Sequence, residues 1–316
     1  MKNHLLPEGF RDSLPDLAFK EFRIVSDFIN IMLDNKYKIV RPPLMEFENS
    51  LFSLSNNLNN TDSFRVLDPQ SQKIMGLRSD ITNQIARIAS GALKTMQRPL
   101  RLCYFGEILK VKNNQLNISR QSTQIGAEMI GISDQKLELE VINMITKILN
   151  EFDISNFTFS LSMPSLIKSL CKDFNLSTEE TKSLTNSYEN KNLSEIKNIS
   201  KKVYDISSTL LQAVGKINEN YSILENEMFP PYTQIEINKF LKSIKNFLPI
   251  SKKISLILDP IELDKTGYHN GIMFKVYSED LNELFSGGSY KVNNEDCIGF
   301  SALVENIIKE YSLIRN

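Results

Sequence analysis

The stretch Gln121-Ser122-Thr123-Gln124-Ile125-Gly126-Ala127-Glu128-Met129-Ile130 reads as a β-strand. Strand side chains alternate between two faces, so Ile125, Ala127 and Met129 point one way and form core material. Gln124, Gly126 and Glu128 point the other way, where an amide and a carboxylate flank a residue with no side chain. The result is a small gap with polar walls. A carboxylate on an otherwise buried strand needs a partner, because an unpaired buried charge is prohibitively costly. A ligand is the favoured partner for Glu128. Gln124 has the alternative of pairing with neighbouring backbone, so a ligand role for it leans on Glu128.

On the N-terminal side a polar tip at Lys112–Ser119 separates this strand from an apolar segment at Leu102–Val111, and another apolar segment lies at Lys73–Leu77. Between those two segments Thr82–Ala92 reads as a helix with Thr82 in the cap position. Tyr37-Lys38-Ile39-Val40 reads as a strand that Pro42-Pro43 terminates. The first helix starts near Pro15-Asp16, proline in the first turn and an acid at the positive end of the dipole. Phe22, Val25, Ile29 and Met32 recur along it at helical spacing. On the C-terminal side Lys136–Phe152 is an amphipathic helix striped by Val141, Ile145, Ile148 and Phe152, and Phe157–Leu161 is another strand.

Composition then changes. Residues 163–249 are dominated by Asn, Lys, Ser and Glu and lack strand alternation, which predicts a largely solvated helical insertion. Leu210, Val214 and Ile217 form one of its few apolar stripes, and Pro230-Pro231 punctuates it. Strands resume at Ile254–Leu258 and Ile272–Tyr277; Gly287-Gly288 reads as a turn. A last helix starts near Ala302 and carries Leu303, Ile307 and Tyr311. Antiparallel strands with interleaved helices predict an α+β fold. Its core spans residues 1–162 and 250–316 and is interrupted by the insertion at 163–249.

The bulk numbers narrow the function. The 316 residues carry 37 Lys+Arg against 38 Asp+Glu, a net charge of −1, which removes the easy argument for a nucleic-acid partner. Cys103, Cys171 and Cys297 are far apart and odd in number, suggesting neither disulfides nor a close-spaced zinc site. His4 and His269 are the only histidines, which rules out a histidine-rich metal site, and no cofactor is expected. No signal segment or membrane-length apolar run is visible, so a cytoplasmic location is expected.

Several segments in order resemble one family. Leu6-Pro7-Glu8-Gly9-Phe10-Arg11-Asp12 through Leu14-Pro15 looks like the opening of the histidyl-tRNA synthetase catalytic domain and its paralogues. Val40-Arg41-Pro42-Pro43-Leu44 with Glu46 resembles class II synthetase motif 1, a dimer-interface element. Cys103-Tyr104-Phe105-Gly106 through Gln124-Ile125-Gly126-Ala127-Glu128 resembles the motif 2 region, and Gly299-Phe300 the start of motif 3. Tyr268-His269-Asn270-Gly271 and Gly287-Gly288-Ser289-Tyr290 fall at the two histidine signatures, and Gly76-Leu77-Arg78-Ser79-Asp80-Ile81-Thr82 at a segment of the histidine pocket. The resemblance implies a class II synthetase-like antiparallel sheet flanked by helices. It also implies that Asp80, Thr82, Gln124, Glu128, Tyr268 and His269 surround L-histidine. Two carboxylates and an amide suit an ammonium taken out of water.

The departures decide the expected function. Where the motif 2 pattern has Phe-Arg-x-Glu, this chain has Leu109-Lys110-Val111-Lys112. Lysine supplies a point charge in place of a planar fork. Glu305-Asn306 replaces the motif 3 arginine, and Asp264 stands where the arginine ahead of the tyrosine pair is expected. Losing one preorganised charge contact raises a barrier by roughly 3–4 kcal/mol, so adenylate formation should be absent. The chain also ends one helix after motif 3, and no anticodon-binding domain is expected. Phe64-Arg65-Val66-Leu67-Asp68-Pro69 and Asp80-Ile81-Thr82-Asn83-Gln84-Ile85-Ala86-Arg87 look closer to ATP phosphoribosyltransferase regulatory subunits than to true synthetases. That resemblance implies a non-catalytic, histidine-sensing role in the first step of histidine synthesis. The implied partners are a short-form catalytic subunit and a second copy bound through motif 1. The rivals are a divergent active synthetase, a purely structural activating subunit, and a sensor of another amino acid.

Overall fold

A computed structural model of the chain describes residues 5–51, 63–111, 119–131, 136–264 and 267–311. The chain divides into two compact units. One comprises Met1–Ser133, Thr146–Ile154 and Val292–Asn316, the other Asp134–Ile145 and Ser155–Lys291. Of the polar tip expected over Lys112–Ser119, residues 112–118 lie outside the described residues, as does the pair Lys265-Thr266.

In the first unit α1 (Pro15–Asp34) opens at the predicted proline, but the face it buries is Ile24, Phe28 and Met32. Phe22, expected in the buried stripe, is 66 % exposed, as are Phe19 and Leu33 in part. At 100° per residue these three lie almost opposite Ile24 and Phe28, so α1 is apolar on two sides. The spacing alone therefore admitted two stripes. A two-residue β1 (Lys38–Ile39) follows. Next come β2 (Met45–Phe47), α2 (Glu48–Leu51), β3 (Arg65–Leu67) and β4 (Ile74–Leu77). The strands β2, β4 and β3 pair antiparallel as a small sheet in that order. After α3 (Thr82–Ser90), β5 (Leu100–Leu109) and β6 (Gln121–Ile130) form an antiparallel pair from Leu100↔Ile130 to Leu109↔Gln121 without a bulge. β1 joins β5 in parallel. α4 (Lys136–Glu151), which belongs to the first unit only from Thr146 onward, buries Val141, Ile145 and Ile148, with Phe152 just beyond its end, as its periodicity predicts.

The second unit holds β7 (Phe157–Ser162), α5 (Ser165–Asp173), α6 (Thr178–Glu189), a 3₁₀ turn at Glu195–Asn198 and α7 (Lys201–Gln212). After them come β8 (Gly215–Lys216), α8 (Ile217–Asn226), α9 (Pro231–Phe247), β9 (Ser255–Leu258), β10 (His269–Ser278) and β11 (Glu283–Val292). β10 lies antiparallel between β11 and β7, β7 runs parallel to β9, and β9 pairs with β8. The helices are far from merely solvated. Leu166, Leu170, Leu184, Tyr188, Leu210, Ile237, Phe240, Ile244 and Phe247 are all buried. Composition averages over both faces of a helix, so polar outer faces hid the apolar inner ones. Leu210, Val214 and Ile217 are also split, because α7 ends at Gln212 and Ile217 opens α8.

Gly287-Gly288 is inside β11, opposite Phe274 and Met273, and makes no turn. A Cβ on Gly288 would sit 2.5 Å from the Ile272 carbonyl oxygen and 2.7 Å from His269 Cδ2. Glycine is there because β10 approaches too closely for any side chain.

The chain ends in the first unit with β12 (Glu295–Leu303), antiparallel to β6, and α10 (Val304–Glu310), which packs against α1 and β6. Phe28 of α1 meets Phe300 of β12 edge-on at 6.5 Å, a favoured ring geometry at the centre of this core. Among the described residues no helix is long and apolar enough to cross a membrane.

Candidate functional site

The polar face of β6 is built as its alternation implies, with one added residue. Gln124 and Glu128 are buried, Glu128 only 1 % exposed. The gap at Gly126 is filled from β5. Tyr104 pairs across the strands with Gly126, and a Cβ on Gly126 would lie 2.4 Å from the Tyr104 hydroxyl. That hydroxyl donates to Glu128 Oε1 (3.3 Å) and lies 3.1 Å from Thr82 Oγ1. With the tyrosine proton committed to the carboxylate, the Thr82 hydroxyl acts as donor to Tyr104. Gly299 makes the matching allowance on β12, where a Cβ would overlap the Glu128 carboxylate at 1.7 Å from Oε2. Burial, with the negative charge of Glu128 adding, pushes the Cys297 thiol up to about 12, so it stays protonated.

Asp80 and Thr82 exchange their expected local roles. Thr82 lies inside the first turn of α3, and Asp80 Oδ1 accepts its N–H at 3.3 Å. A carboxylate at the helix's positive end serves better than a hydroxyl. Gln124 Nε2 also donates to Asp80 Oδ1 (2.8 Å), while Gln124 Oε1 accepts the Ile81 N–H (2.9 Å). Both ends of the Gln124 amide are therefore engaged inside the protein, and its part in any ligand contact runs through the placement of Asp80.

Tyr268 and His269 belong to the other unit and are described within it. Asp264 Oδ2 accepts both the His269 backbone N–H (2.9 Å) and His269 Nδ1 (3.1 Å). The Tyr268 ring lies 4.4 Å from the imidazole and 5.6 Å from the Tyr290 ring. Asp264 thus orients the histidine at the start of β10.

On the remaining side of β6, carboxylates gather. Glu305 accepts the Thr123 N–H at 3.0 Å, and Glu107 takes the Thr123 hydroxyl at 2.8 Å and Gln121 Nε2 at 3.2 Å. Burial, helped by repulsion from Glu21 and Glu107, pushes Glu305 up to about 7. Lys110 is exposed at the end of β5, and Lys112 lies outside the described residues.

The model of the histidyl-tRNA synthetase family matches residues 9–307. An ATP phosphoribosyltransferase regulatory subunit from Rhodospirillum centenum is 30 % identical over 96 % of this chain and 80 % of its own length. One from Gluconobacter oxydans is 31 % identical, with the same shares covered on both sides. The chain belongs to the ATP phosphoribosyltransferase regulatory subunits of the histidyl-tRNA synthetase family. Their fold recurs in a regulatory subunit/histidyl-tRNA synthetase from Bacillus halodurans, with a TM-score of 0.83 and 20 % identity over 99 % of this chain and 84 % of that one. Histidyl-tRNA synthetase from Nostoc gives 0.78 and 16 % over 97 % and 75 %. Membership of these regulatory subunits makes the chain a non-catalytic component. At the three places where the resemblance led arginines to be expected, Lys110 is exposed, Asp264 lies against His269, and Asn306 follows the partly buried acid Glu305.

Proposed function

We propose that this chain is the regulatory subunit of a cytoplasmic ATP phosphoribosyltransferase, that it assembles with the short-form catalytic subunit, and that it senses L-histidine. Phosphoribosyl transfer belongs to the partner. The cluster Asp80–Thr82–Tyr104–Gln124–Glu128 is the proposed histidine site. The observation that carries the reading is the pair of carboxylates set on one polar network, Asp80 through Gln124 and Glu128 through Tyr104. An ammonium and an imidazole N–H both need such acceptors once desolvated. Tyr268 and His269 are proposed as further histidine-binding residues. The second apolar stripe of α1, which leads directly into the motif 1 segment, supports self-association there.

Calorimetric titration of the purified chain with L-histidine is the test. Glu128→Gln should weaken binding by tenfold or more, since charge-assisted hydrogen bonds contribute about 1.5–3 kcal/mol. Unchanged affinity and unchanged feedback in the assembled complex would favour a scaffold without a ligand.

A further inference from the structure

The entry to α3 and one face of the helix serve different neighbours within the first unit. Its N-terminus carries Asp80 and Thr82, the proposed ligand contacts. One turn further on, Gln84 and Arg87 share a face and grip the motif 1 segment. Gln84 Nε2 donates to the Pro43 carbonyl and to Glu46 Oε1, both at 2.8 Å, and Arg87 Nη2 pairs with the same Glu46 oxygen. Arg78, two residues before Asp80 and only 5 % exposed, extends this grip. Its guanidinium donates to the Pro42 carbonyl (3.0 Å) and to the Glu107 carbonyl of β5 (2.7 Å). Gly106 is glycine at that point because a Cβ would sit 2.2 Å from Arg78 Nη2.

The joint is only half used. Glu46 Oε2 and Arg87 Nε are both buried with no hydrogen-bond partner among the described residues, while Glu46 Oε1 takes two donors. An idle buried acceptor beside an idle buried donor carries a desolvation penalty that pairing would remove. A guanidinium and a carboxylate have a second, two-point arrangement open to them, with Nε and Nη2 each meeting one oxygen. A displacement of α3 along the motif 1 segment would carry the pair from one arrangement to the other.

We propose that α3 couples occupancy of the Asp80–Thr82 end to the motif 1 face, through a Glu46–Arg87 joint that switches between one-point and two-point pairing. A ligand drawing on Asp80 biases the position of α3, and the joint passes that bias to Pro42, Pro43 and Glu46. The coupling rests on the reading above that the cluster binds L-histidine and the motif 1 face holds a second copy. Linkage makes it reciprocal: histidine must alter dimer affinity by the factor by which dimerisation alters histidine affinity.

Sedimentation equilibrium of the full chain, with and without saturating L-histidine, reads the first factor, and titration above and below the dimer dissociation constant reads the second. A shared factor of about five or more is expected. Arg87→Lys keeps the charge but has a single nitrogen, so two-point pairing is lost. It should bring both factors to about one while histidine binding and dimerisation persist. Arg87→Gln should do the same and serves if the lysine variant is unstable. Normal histidine binding with an unchanged dimer constant overturns the coupling and leaves the histidine reading standing. Absence of histidine binding, or a monomer at every concentration, removes both. Full coupling in a folded Arg87→Lys or Arg87→Gln protein overturns the assignment to this joint.

Discussion

Tyr104 holds two side chains through a single oxygen, and that oxygen occupies the space Gly126 leaves open. Adding one methyl at Gly126 would press on the Tyr104 hydroxyl at 2.4 Å and on the Phe300 carbonyl at 2.7 Å, the latter being backbone that cannot rotate away. Gly126→Ala should therefore cost about 1–3 kcal/mol, the usual range for an overpacked core. Tyr104→Phe relieves no contact but strips the shared hydroxyl from Thr82 and Glu128, and should cost about 1–3 kcal/mol because the buried Glu128 loses a donor. Urea unfolding midpoints measure both, and L-histidine titration should show weakened binding in both. A fully stable Gly126→Ala protein would mean the tyrosine does not fill that gap. The alternation of Gln124, Gly126 and Glu128 was legible from sequence because it needs only the period of a strand. Tyr104 was not, since its pairing with Gly126 depends on the hairpin register, which a tip of unknown length does not define.

The junction of β5, β6 and α10 gathers Glu107, Thr123 and Glu305, with Glu21 of α1 close enough to repel Glu305. Glu305 is raised by burial to about 7 from an ordinary 4.5, so the folded state binds more protons than the unfolded state between those values. Stability from this group is then fully present below about pH 4.5 and is lost as pH rises through about 7. Glu305→Gln removes that dependence while retaining an acceptor for the Thr123 N–H. Across pH 5 to 8 the variant should gain on the native chain progressively, by on the order of 2–3 kcal/mol at the upper end. Parallel unfolding curves over that range check it; a constant offset would place Glu305 at an ordinary carboxylate value. Element by element, legibility followed the uniqueness of the pattern. α4 has one apolar stripe and reads correctly, whereas α1 has two and its outer one was mixed with the inner. Gly287-Gly288 carries the composition of a turn, and only the closeness of β10 explains it as strand.

Across the chain, the proposed function requires carboxylates that suit an amino acid and a site that does not hold a triphosphate. Glu107, Glu21 and Glu305 lie close enough together for the first two to raise the third, and a phosphate brought to that side of β6 is expected to meet the same repulsion. Ligand-dependent stability separates the two functions without a partner present. A ligand that binds only the folded state stabilises it by about 2.7 kcal/mol at one hundred times its dissociation constant. L-Histidine at that excess should raise the unfolding midpoint, while ATP with magnesium at millimolar concentration should leave it unchanged, alone or with histidine. Histidine-dependent exchange of pyrophosphate into ATP should be undetectable for the same reason. If nucleotide stabilised the chain in the presence of histidine, or exchange appeared, the acidic side of β6 could not be excluding phosphate, and Lys110 would have to serve as a working phosphate contact despite its single nitrogen.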